Sequence, residues 1–279
     1  MKVLVTGASG YVGKFLVKLL NQKGFKVIQI NRENGYDLSK PNWTKKINEK
    51  NISIVYHLAQ SSKYRDPING LGDMFRVNIN ATFELLQWAK SNNVKKFIYT
   101  STGSVYKESR ESLTELCEIK KSPDFYAQSK IIGERLVESH VQFFQVIILR
   151  IFTVYGQDQK NMLFPTIVDK IINGIKIKLS GLEGIYLTPI YIEDLVSILF
   201  KLGFLDKNLN GEIINVSGNE KISLKDMIEC ISKRIGISPL IEIDNDTPKY
   251  LVSDNTKLKS LLRFDEFTVF NKSLNKIFT

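Results

Sequence analysis

Two residues four positions apart, Tyr126 and Lys130, have side chains suited to proton transfer. They lie at the start of a segment with a helical pattern, where this spacing makes both side chains face the same way. A free tyrosine titrates near pH 10, which is too high for a base at neutral pH. A lysine ammonium one turn away favours the phenolate, so we expect it to lower the pKa of Tyr126. The pair could then give or take a proton at an alcohol or carbonyl oxygen.

A second group, the glycines Gly7, Gly10 and Gly13, is spaced for binding an anion. They join a predicted strand, Lys2 to Val5, to an apolar pattern with helical period. Such a turn aims the first N–H groups of the helix outward, where a phosphate binds. Gly7 permits the tight turn, Gly10 the close approach of a pyrophosphate, and Gly13 close packing of helix on strand. A glycine-rich turn without a ligand is the alternative, but the order of strand, turn and helix favours a dinucleotide.

Both motifs match those of a known superfamily. The glycine turn, Thr6 to Gly13, is T-G-x-x-G-x-x-G, and Tyr126 and Lys130 form Y-x-x-x-K. The chain therefore resembles the short-chain dehydrogenases/reductases, and more narrowly their extended branch, the NAD-dependent epimerase/dehydratase family of nucleotide-sugar enzymes. The resemblance implies an α/β fold, a Rossmann-type doubly wound parallel sheet with a smaller mixed α/β carboxyl-terminal substrate lobe. We expect residues 1–156 to form the dinucleotide-binding domain with the catalytic residues, and residues 157–279 the partly interleaved substrate lobe.

The resemblance also implies roles for individual residues. Tyr126 is expected to be the catalytic acid–base, with its pKa lowered by Lys130 together with the cationic nicotinamide. Lys130 is expected to hold the nicotinamide ribose, and Thr102 to donate a hydrogen bond to the substrate oxygen. Ser104 and Thr153 are expected to contact the substrate. The residues expected to bind the cofactor are Gly7, Ser9, Gly10, Tyr11, Val12, Gly13, Asn31, Arg32, Asp37, Leu38, Leu58, Ala59, Gln60, Asn78, Thr100, Tyr126 and Lys130.

The residues after the second predicted strand bear on the type of cofactor. An acid there accepts hydrogen bonds from the adenosine 2′-hydroxyl, whereas an arginine accommodates a 2′-phosphate. Asn31 stands where NAD-using relatives usually carry Asp, and Arg32 follows it. These residues favour NADP as the cofactor. NAD stays the alternative, because Glu33 could still serve as the acid if the loop is offset.

The residues after Thr102 narrow the reaction. Dehydratases of the family carry Asp-Glu there, and this chain has Gly103 and Ser104, neither of which can shuttle a proton. Reductases that epimerise two centres use a cysteine at the position of Ser104. A 4-keto reductase is the expected function, and a nucleotide-sugar 4-epimerase with tightly bound NAD is the alternative. A non-catalytic dinucleotide-binding sensor or assembly protein is a second alternative, which the presence of both Tyr126 and Lys130 disfavours.

The expected substrate is a nucleotide sugar, but two of the usual diphosphate contacts are missing. Thr153 replaces an asparagine, and Leu187 replaces an arginine. Three lysines are candidates to compensate: Lys160, Lys176 and Lys178.

Composition sets wider limits. The chain has 279 residues, 43% of them hydrophobic, and a formal charge of +10. This charge favours anionic ligands, but no basic run with interleaved aromatics indicates nucleic acid. No membrane span or signal peptide is expected, and two distant cysteines without metal-ligand spacing are typical of a cytoplasmic protein. No metal site is expected.

Four element predictions bear on the site. The strand from Ile52 to Ala59 contains His57, which we interpret as a structural histidine. The next strand is predicted from Lys95 to Thr100, followed by a hydroxyl-rich loop. One long helix is predicted from Met74 to Asn92, with one apolar face containing Phe75, Ile79, Phe83, Leu86 and Ala89. This helix and the one carrying Tyr126 resemble those that form the dimer interface in relatives, so a homodimer is expected.

Overall fold

A computed structural model of the protein describes residues 1–66, 68–262 and 266–278. The strands are β1 Lys2–Thr6, β2 Lys26–Ile30, β3 Ile52–His57, β4 Lys96–Thr102, β5 Gln145–Ile151, β6 Val154–Tyr155, β7 Ile177–Ser180, β8 Ile185–Leu187, β9 Ile190–Tyr191, β10 Glu212–Val216, β11 Ile222–Ser223, β12 Ile241–Asp244 and β13 Lys249–Leu251. The α-helices are α1 Tyr11–Gln22, α2 Leu71–Met74, α3 Ala81–Ser91, α4 Phe125–Glu138, α5 Leu163–Ile172, α6 Ile192–Phe204, α7 Leu224–Ile235, α8 Thr256–Leu262 and α9 Phe270–Ile277. Short 3₁₀ turns occur at Trp43–Lys46 and Gly103–Val105.

The chain passes repeatedly between two compact units. The first contains Met1–Val105, Ile119–Arg150 and Val196–Ile214, and the second contains Tyr106–Glu118, Ile151–Leu195 and Asn215–Thr279. Most of α6 and the start of β10 thus return to the first unit after the chain has entered the second. The return is needed because β10 is a strand of the central sheet.

The first unit is built on a sheet that has, within the described residues, six strands in the order β10-β5-β4-β3-β1-β2. Strand β1 pairs in parallel with β2 on one side and β3 on the other, and β3 pairs in parallel with β4. The strand order therefore reverses at β1, and open α/β sheets bind ligands beyond the carboxyl ends of the strands at such a point.

Both faces of this sheet are covered. Leu4 and Val55 face one side and pack in an apolar cluster with residues of α3, including Leu85. Tyr56 points to the other side, where its hydroxyl donates to the Leu199 carbonyl oxygen of α6, 3.1 Å away. Strands buried on both faces are mostly apolar, as β1 and β3 are. The prediction of a doubly wound parallel sheet is confirmed.

The long helix predicted from Met74 to Asn92 is wrong in one respect, because a π-helical segment, Phe75–Asn80, interrupts it between α2 and α3. A π turn holds more residues than an α turn and so shifts the apolar face. Leu86 and Ala89 are buried as predicted, but Phe75 and Phe83 are 48% and 47% exposed.

The ends of two strands also differ from prediction. Strand β4 continues through Thr102, two residues beyond its predicted end, before the Gly103–Val105 turn. Strand β3 ends at His57, so Leu58 and Ala59 already belong to the following loop. As a result, Thr102 lies at the carboxyl end of β4, and Leu58 and Ala59 lie in the loop that follows the carboxyl end of β3.

The second unit contains three small sheets among the described residues. One has the order β11-β8-β13, and the other two pair β12 with β7 and β6 with β9. Helix α7 begins with a capping box, in which the Ser223 hydroxyl and the Asp226 carboxylate each accept a hydrogen bond from the other residue's backbone N–H. Across the described ranges, no helix has the length and apolar character required to cross a membrane.

The contact between α6 and β3 generates a stability prediction. A Cβ added at Gly203 would lie 1.7 Å from the Tyr56 hydroxyl oxygen. We expect Gly203→Ala to lower the free energy of unfolding by about 1–3 kcal/mol through overpacking. Urea denaturation measures this change. Gly72→Ala is the matched control, because the nearest atoms there belong to the flexible Arg76 side chain. Adding Tyr56→Phe should recover part of the loss, and equal stability of both alanine variants would contradict the prediction.

Candidate active site

The glycine turn follows β1 and is tightly packed. Gly7 has a φ of +68°, and a Cβ there would lie 2.9 Å from the Ala59 Cα atom. A Cβ on Gly13 would lie 2.1 Å from the Gly7 carbonyl oxygen. The Gly7 carbonyl also accepts a hydrogen bond from the Gly10 N–H at 2.9 Å. Gly10 is the N-cap of α1 and no side chain in the described chain caps it, so the positive end of the helix dipole faces outward. These features fit a pyrophosphate.

A cavity of about 240 Å³ lies beside this turn. Its lining residues are Ala8, Ser9, Lys14, Val17, Lys18, Gln29, Asn31 and Glu33. The Asn31 Oδ1 atom accepts the Asn34 N–H at 2.9 Å, which shapes the loop after β2. Arg32 is largely exposed, with its Nε 3.9 Å from the Asp37 carboxylate. The cavity therefore lies beside the turn and is lined by two lysines and one carboxylate, which could hold the ribose end of a dinucleotide.

Asp37 and Leu38 follow this loop. The Asp37 carboxylate accepts hydrogen bonds from the Ser39 N–H at 3.0 Å and the Ser39 hydroxyl at 2.7 Å. These bonds are the main reason why the pKa of Asp37 is lowered. Leu38 packs against the core cluster on the α3 side of the sheet. Asp37 thus stabilises the turn that holds Leu38.

Tyr126 lies in the first turn of α4, which Asp124 caps by accepting the Ala127 N–H at 2.9 Å. Its hydroxyl donates to the Gln60 side-chain oxygen at 3.2 Å, just beyond β3. Burial raises the pKa of Tyr126 to about 12, while a hydrogen bond with the Thr102 side chain opposes the rise. The structure therefore brings Tyr126 together with residues at the carboxyl ends of two neighbouring strands.

Lys130 lies one turn further along α4 and is buried. Its ammonium donates to the Thr100 carbonyl oxygen of β4 at 2.9 Å and lies 5.3 Å from the centre of the Tyr99 ring. Burial lowers the pKa of Lys130 to about 8, and the Glu134 carboxylate partly offsets this. In the chain without a dinucleotide, burial of the phenol is the main cause of the raised pKa of Tyr126. The expectation that Lys130 and a cationic nicotinamide together lower this pKa stays a prediction.

Four buried polar residues form a hydrogen-bond network beside this arrangement. The Asn78 side chain accepts the Ser61 N–H at 2.8 Å and donates to the Ser129 hydroxyl at 2.9 Å. The Ser61 hydroxyl in turn donates to the buried Asp73 carboxylate. Both polar groups of Asn78 are thus engaged within the protein, joining the segment after Gln60 to helix α4.

Sequence reasoning missed Ser61, Asp73 and Ser129, and also Tyr64, whose ring centre lies 5.1 Å from that of Tyr126. Serines and an aspartate in a polar loop or on a helix have no distinctive spacing. Asn78 could have indicated a buried network, because it is an amide flanked by apolar residues in a predicted helix.

His57 is a structural histidine, as interpreted from the sequence. Its Nδ1 atom lies 2.6 Å from the Thr6 hydroxyl and its Nε2 atom 2.8 Å from the Thr82 hydroxyl. Burial lowers its pKa to about 3, so the ring is neutral at physiological pH. Thr6 also accepts the Ala59 N–H at 3.2 Å, so the network fixes the loop that faces the glycine turn.

The two expected substrate residues lie in different units. Ser104 is in the 3₁₀ turn of the first unit, where its N–H donates to the Thr102 hydroxyl at 3.2 Å. Thr153 belongs to the second unit, and its carbonyl accepts the Ile190 N–H at 2.8 Å. The remaining expected cofactor residues, Tyr11, Val12 and Leu58, lie in the first turn of α1 and just after β3, at the same edge of the sheet.

A family model agrees with this geometry. The model of the NAD dependent epimerase/dehydratase family matches residues 3–217, which include the glycine turn, Thr102, Tyr126 and Lys130. The chain belongs to this family. The resemblance to the extended short-chain dehydrogenases/reductases is thereby confirmed, and the chain is an enzyme of the NAD-dependent epimerase/dehydratase type.

Individual family members align with it over nearly their full length. It is 28% identical to the uncharacterized UDP-glucose epimerase YtcB of Bacillus subtilis strain 168, over 98% of this chain and 96% of that protein. It is also 28% identical to GDP-6-deoxy-D-talose 4-dehydrogenase of Aggregatibacter actinomycetemcomitans, over 100% of this chain and 97% of that protein. Among solved structures, UDP-glucuronic acid 4-epimerase from Bacillus cereus, in complex with UDP-glucuronic acid and NAD, is 26% identical. It superposes with a TM-score of 0.84, over 100% of this chain and 98% of that one.

The buried ammonium gives this family member an expected pH dependence. Because the pKa of Lys130 is about 8, we expect its charge to be lost as pH rises through that value. If Lys130 holds a bound dinucleotide, the dissociation constant of NADH should then increase by up to about tenfold per pH unit. Fluorescence titrations at a series of pH values measure this. Lys130→Met should bind weakly with no such pH dependence, and a wild-type constant that stays flat above pH 8 would contradict the assignment.

Proposed function

We propose that the protein transfers a hydride between a nicotinamide dinucleotide and the C4 carbon of a nucleotide sugar, acting as a 4-keto reductase. The observation that carries this proposal is the meeting of Tyr126 with Gln60 and Thr102 beyond β3 and β4, where Lys130 is bound to Thr100. Strand β3 lies between β4 and β1, and β1 leads into the glycine turn. A ligand on that turn and a substrate at Tyr126 would therefore be neighbours.

Three residues of the chain have separate roles in the proposed reaction. Tyr126 holds a proton under neutral conditions because its pKa is about 12, so it is ready to donate to a carbonyl oxygen that gains a hydride. Thr102 donates a hydrogen bond to the same oxygen, and the Lys130 ammonium binds the ribose hydroxyls next to the ring. When bound, the dinucleotide supplies the hydride. In the reverse direction its oxidised ring is cationic, which lowers the pKa of the phenol and lets Tyr126 accept the proton.

The turn after β4 argues against dehydration. Gly103 has no side chain, and Ser104 has a hydroxyl that stays neutral across the pH range of enzymes. Removal of a sugar hydroxyl needs an acid and a base in addition to Tyr126. Neither position supplies one.

Support for a reductase and for an epimerase comes from different relatives. The Aggregatibacter relative is named as a 4-dehydrogenase and aligns over 97% of its length. The solved Bacillus cereus structure is a 4-epimerase that holds UDP-glucuronic acid and NAD. The second candidate function is therefore a 4-epimerase with tightly bound NAD, which returns the hydride to the opposite face of a rotated 4-keto sugar.

We propose NADP as the preferred dinucleotide of the reductase. The charged residues lining the cavity beside the glycine turn are Lys14, Lys18 and Glu33, which together are net positive. Arg32 is exposed next to them. Lysines and an arginine are suited to a 2′-phosphate, whereas Glu33 is suited to a free 2′-hydroxyl.

The proposed nucleotide-sugar substrate needs a cation for its diphosphate in the second unit. Leu187 is buried and apolar where relatives of the resembled family carry arginine. Of the three candidate lysines, Lys176 and Lys178 lie 3.7 Å and 3.5 Å from Glu242 and Asp244, respectively. Lys160 is exposed after β6 and has no ion pair among the described residues. It is the best-placed of the three to bind a phosphate.

We also propose a homodimer. Leu71, Phe75 and Phe83 are exposed apolar residues on the helical segments that run from α2 through α3, and these segments contact α4. Leu71 and Phe75 are four residues apart, and Phe83 lies on α3 beyond the π-helical segment. A second copy of the chain presents the same residues, as a two-fold interface requires.

The function is tested by incubating the protein with UDP-, GDP- and dTDP-linked 4-keto sugars and hexoses, with NADPH or NADH. A reductase oxidises one cofactor per sugar and prefers NADPH, whereas an epimerase interconverts hexoses without net cofactor change. In either case Tyr126→Phe should lower kcat by about 10²- to 10⁴-fold because proton transfer is lost. Mass spectrometry of the sugars measures the turnover.

Tyr250→Phe, in the second unit, serves as the control, and both variants should still bind dinucleotide. Unchanged turnover of every sugar in Tyr126→Phe would contradict the proposed chemistry. A wild-type protein that binds dinucleotide and converts none of these substrates would favour a non-catalytic binding role.

The dimer is tested by sedimentation velocity. Phe83→Glu places a charge in the proposed interface, so we expect the sedimentation coefficient to fall to that of a monomer. Ile172→Glu, an equally exposed position in the second unit, is the control and should remain dimeric. A monomeric wild-type protein, or a dimer that is unaffected by Phe83→Glu, would contradict the proposed interface.

A further inference from the structure

A buried ion pair beneath Lys130 has no role in the reaction described above. The Arg150 guanidinium donates to both oxygens of the Glu134 carboxylate, through Nε at 3.0 Å and through the terminal nitrogen at 2.7 Å. Both residues are only 2% exposed. The Ser101 hydroxyl donates to the same carboxylate at 2.5 Å. These three residues, the Ser101–Glu134–Arg150 clasp, belong to β4, α4 and β5, respectively.

Stability alone does not account well for such a clasp. Two charges taken out of water pay a large desolvation cost, and an apolar pair of similar volume often stabilises a protein equally well or better. A bidentate pair instead imposes one geometry, because the planar guanidinium fits a carboxylate in only a few orientations. The clasp therefore sets the position of α4 against β4 and β5 more sharply than apolar packing would.

The clasp lies next to the residues proposed to react. Glu134 is one helical turn after Lys130 on α4, and Ser101 lies between Thr100, which binds the Lys130 ammonium, and Thr102. Gly133 permits this packing, because a Cβ there would lie 2.1 Å from the Tyr99 hydroxyl oxygen. A shift of α4 by a fraction of an ångström would thus change the Lys130 contact and the Tyr126–Thr102 contact together.

We propose that Glu134, held by Arg150 and Ser101, is a positioning residue that keeps the Lys130 ammonium charged and seated on the Thr100 carbonyl while a dinucleotide binds. The inference rests on the proposed function for its consequence in turnover, but not for its effect on dinucleotide binding. An anionic carboxylate one turn away offsets the desolvation of a buried ammonium. The pKa of Lys130, about 8, is the result of two opposing effects: burial lowers it, and the Glu134 carboxylate raises it.

Other charged groups on the elements around α4 are arranged differently. They are His57 on β3, Asp73 on α2, Arg76 on the π-helical segment, Glu84 and Lys90 on α3, Tyr99 on β4, and Tyr126 on α4 itself. The Tyr99 ring centre lies 5.3 Å from the Lys130 ammonium, and burial raises the pKa of the Tyr99 phenol. His57 is neutral, because its pKa is lowered to about 3, and Arg76 and Lys90 are exposed to solvent. Among the described residues, Glu134 is the carboxylate that raises the pKa of Lys130.

The test is the pH dependence of NADH binding in Glu134→Gln, compared with wild type and with Glu138→Gln. Glu138 lies on the same helix but pairs with Arg135 at the surface, 2.7 Å away. We expect the midpoint at which binding weakens to fall by about one pH unit in Glu134→Gln and to stay unchanged in Glu138→Gln. A midpoint in Glu134→Gln equal to that of wild type would overturn the inference.

A second variant covers the case in which Glu134→Gln does not fold, as judged by circular dichroism. Glu134→Met combined with Arg150→Met leaves neither charge unpaired in the interior, so it removes the clasp without stranding an ion. Its midpoint should also fall if the clasp positions and charges Lys130, and should match wild type if the clasp is only structural. Because binding needs no sugar, a wild-type protein without sugar turnover would count against the proposed function and leave this comparison intact.

Discussion

The hydrogen bond from the Lys130 ammonium to the Thr100 carbonyl is the contact on which the candidate active site depends. It joins helix α4 to strand β4 within the interior of the first unit. Tyr126 lies one turn before Lys130, and Thr102 lies two residues after Thr100. This buried contact therefore fixes the position of the Tyr126 phenol relative to the Thr102 hydroxyl. Its cost is the desolvation of an ammonium, visible as a pKa lowered to about 8.

The parallel sheet explains why residues distant in sequence meet around this contact. Strands β1, β3 and β4 are neighbours, and their carboxyl ends lie at one edge. The glycine turn, the Ala59–Gln60 segment and Thr102 follow these three ends in order. Buried polar networks then fix the loops: Thr6, His57 and Thr82 on one side, and Ser61, Asp73 and Asn78 on the other. Each network satisfies polar groups that would otherwise be costly to bury.

The chain carries the main motifs of the epimerase/dehydratase family and departs from its usual residues at four other positions. The part of the chain that matches the family model contains the glycine turn and the Tyr126–Lys130 pair, to which the proposed function assigns hydride and proton transfer. The proposal relates the departures, Gly103, Ser104, Thr153 and Leu187, to the reaction at the sugar and to diphosphate binding. In the proposed function, chemistry and substrate recognition therefore depend on different residues.

The sequence by itself indicated the glycine turn and the Tyr126–Lys130 pair, because each depends on local spacing along the chain. The fold class followed from the family resemblance that these two motifs carry. The sequence also indicated that His57 is structural, since a histidine inside a buried strand needs partners. Only the tertiary structure decided the high pKa of Tyr126, which results from burial by residues far away in the chain. The same holds for the π-helical segment, for the exposure of Phe75 and Phe83, and for the Ser101–Glu134–Arg150 clasp. Burial and ion pairing between separate elements depend on distances in space, which spacing along the chain does not encode.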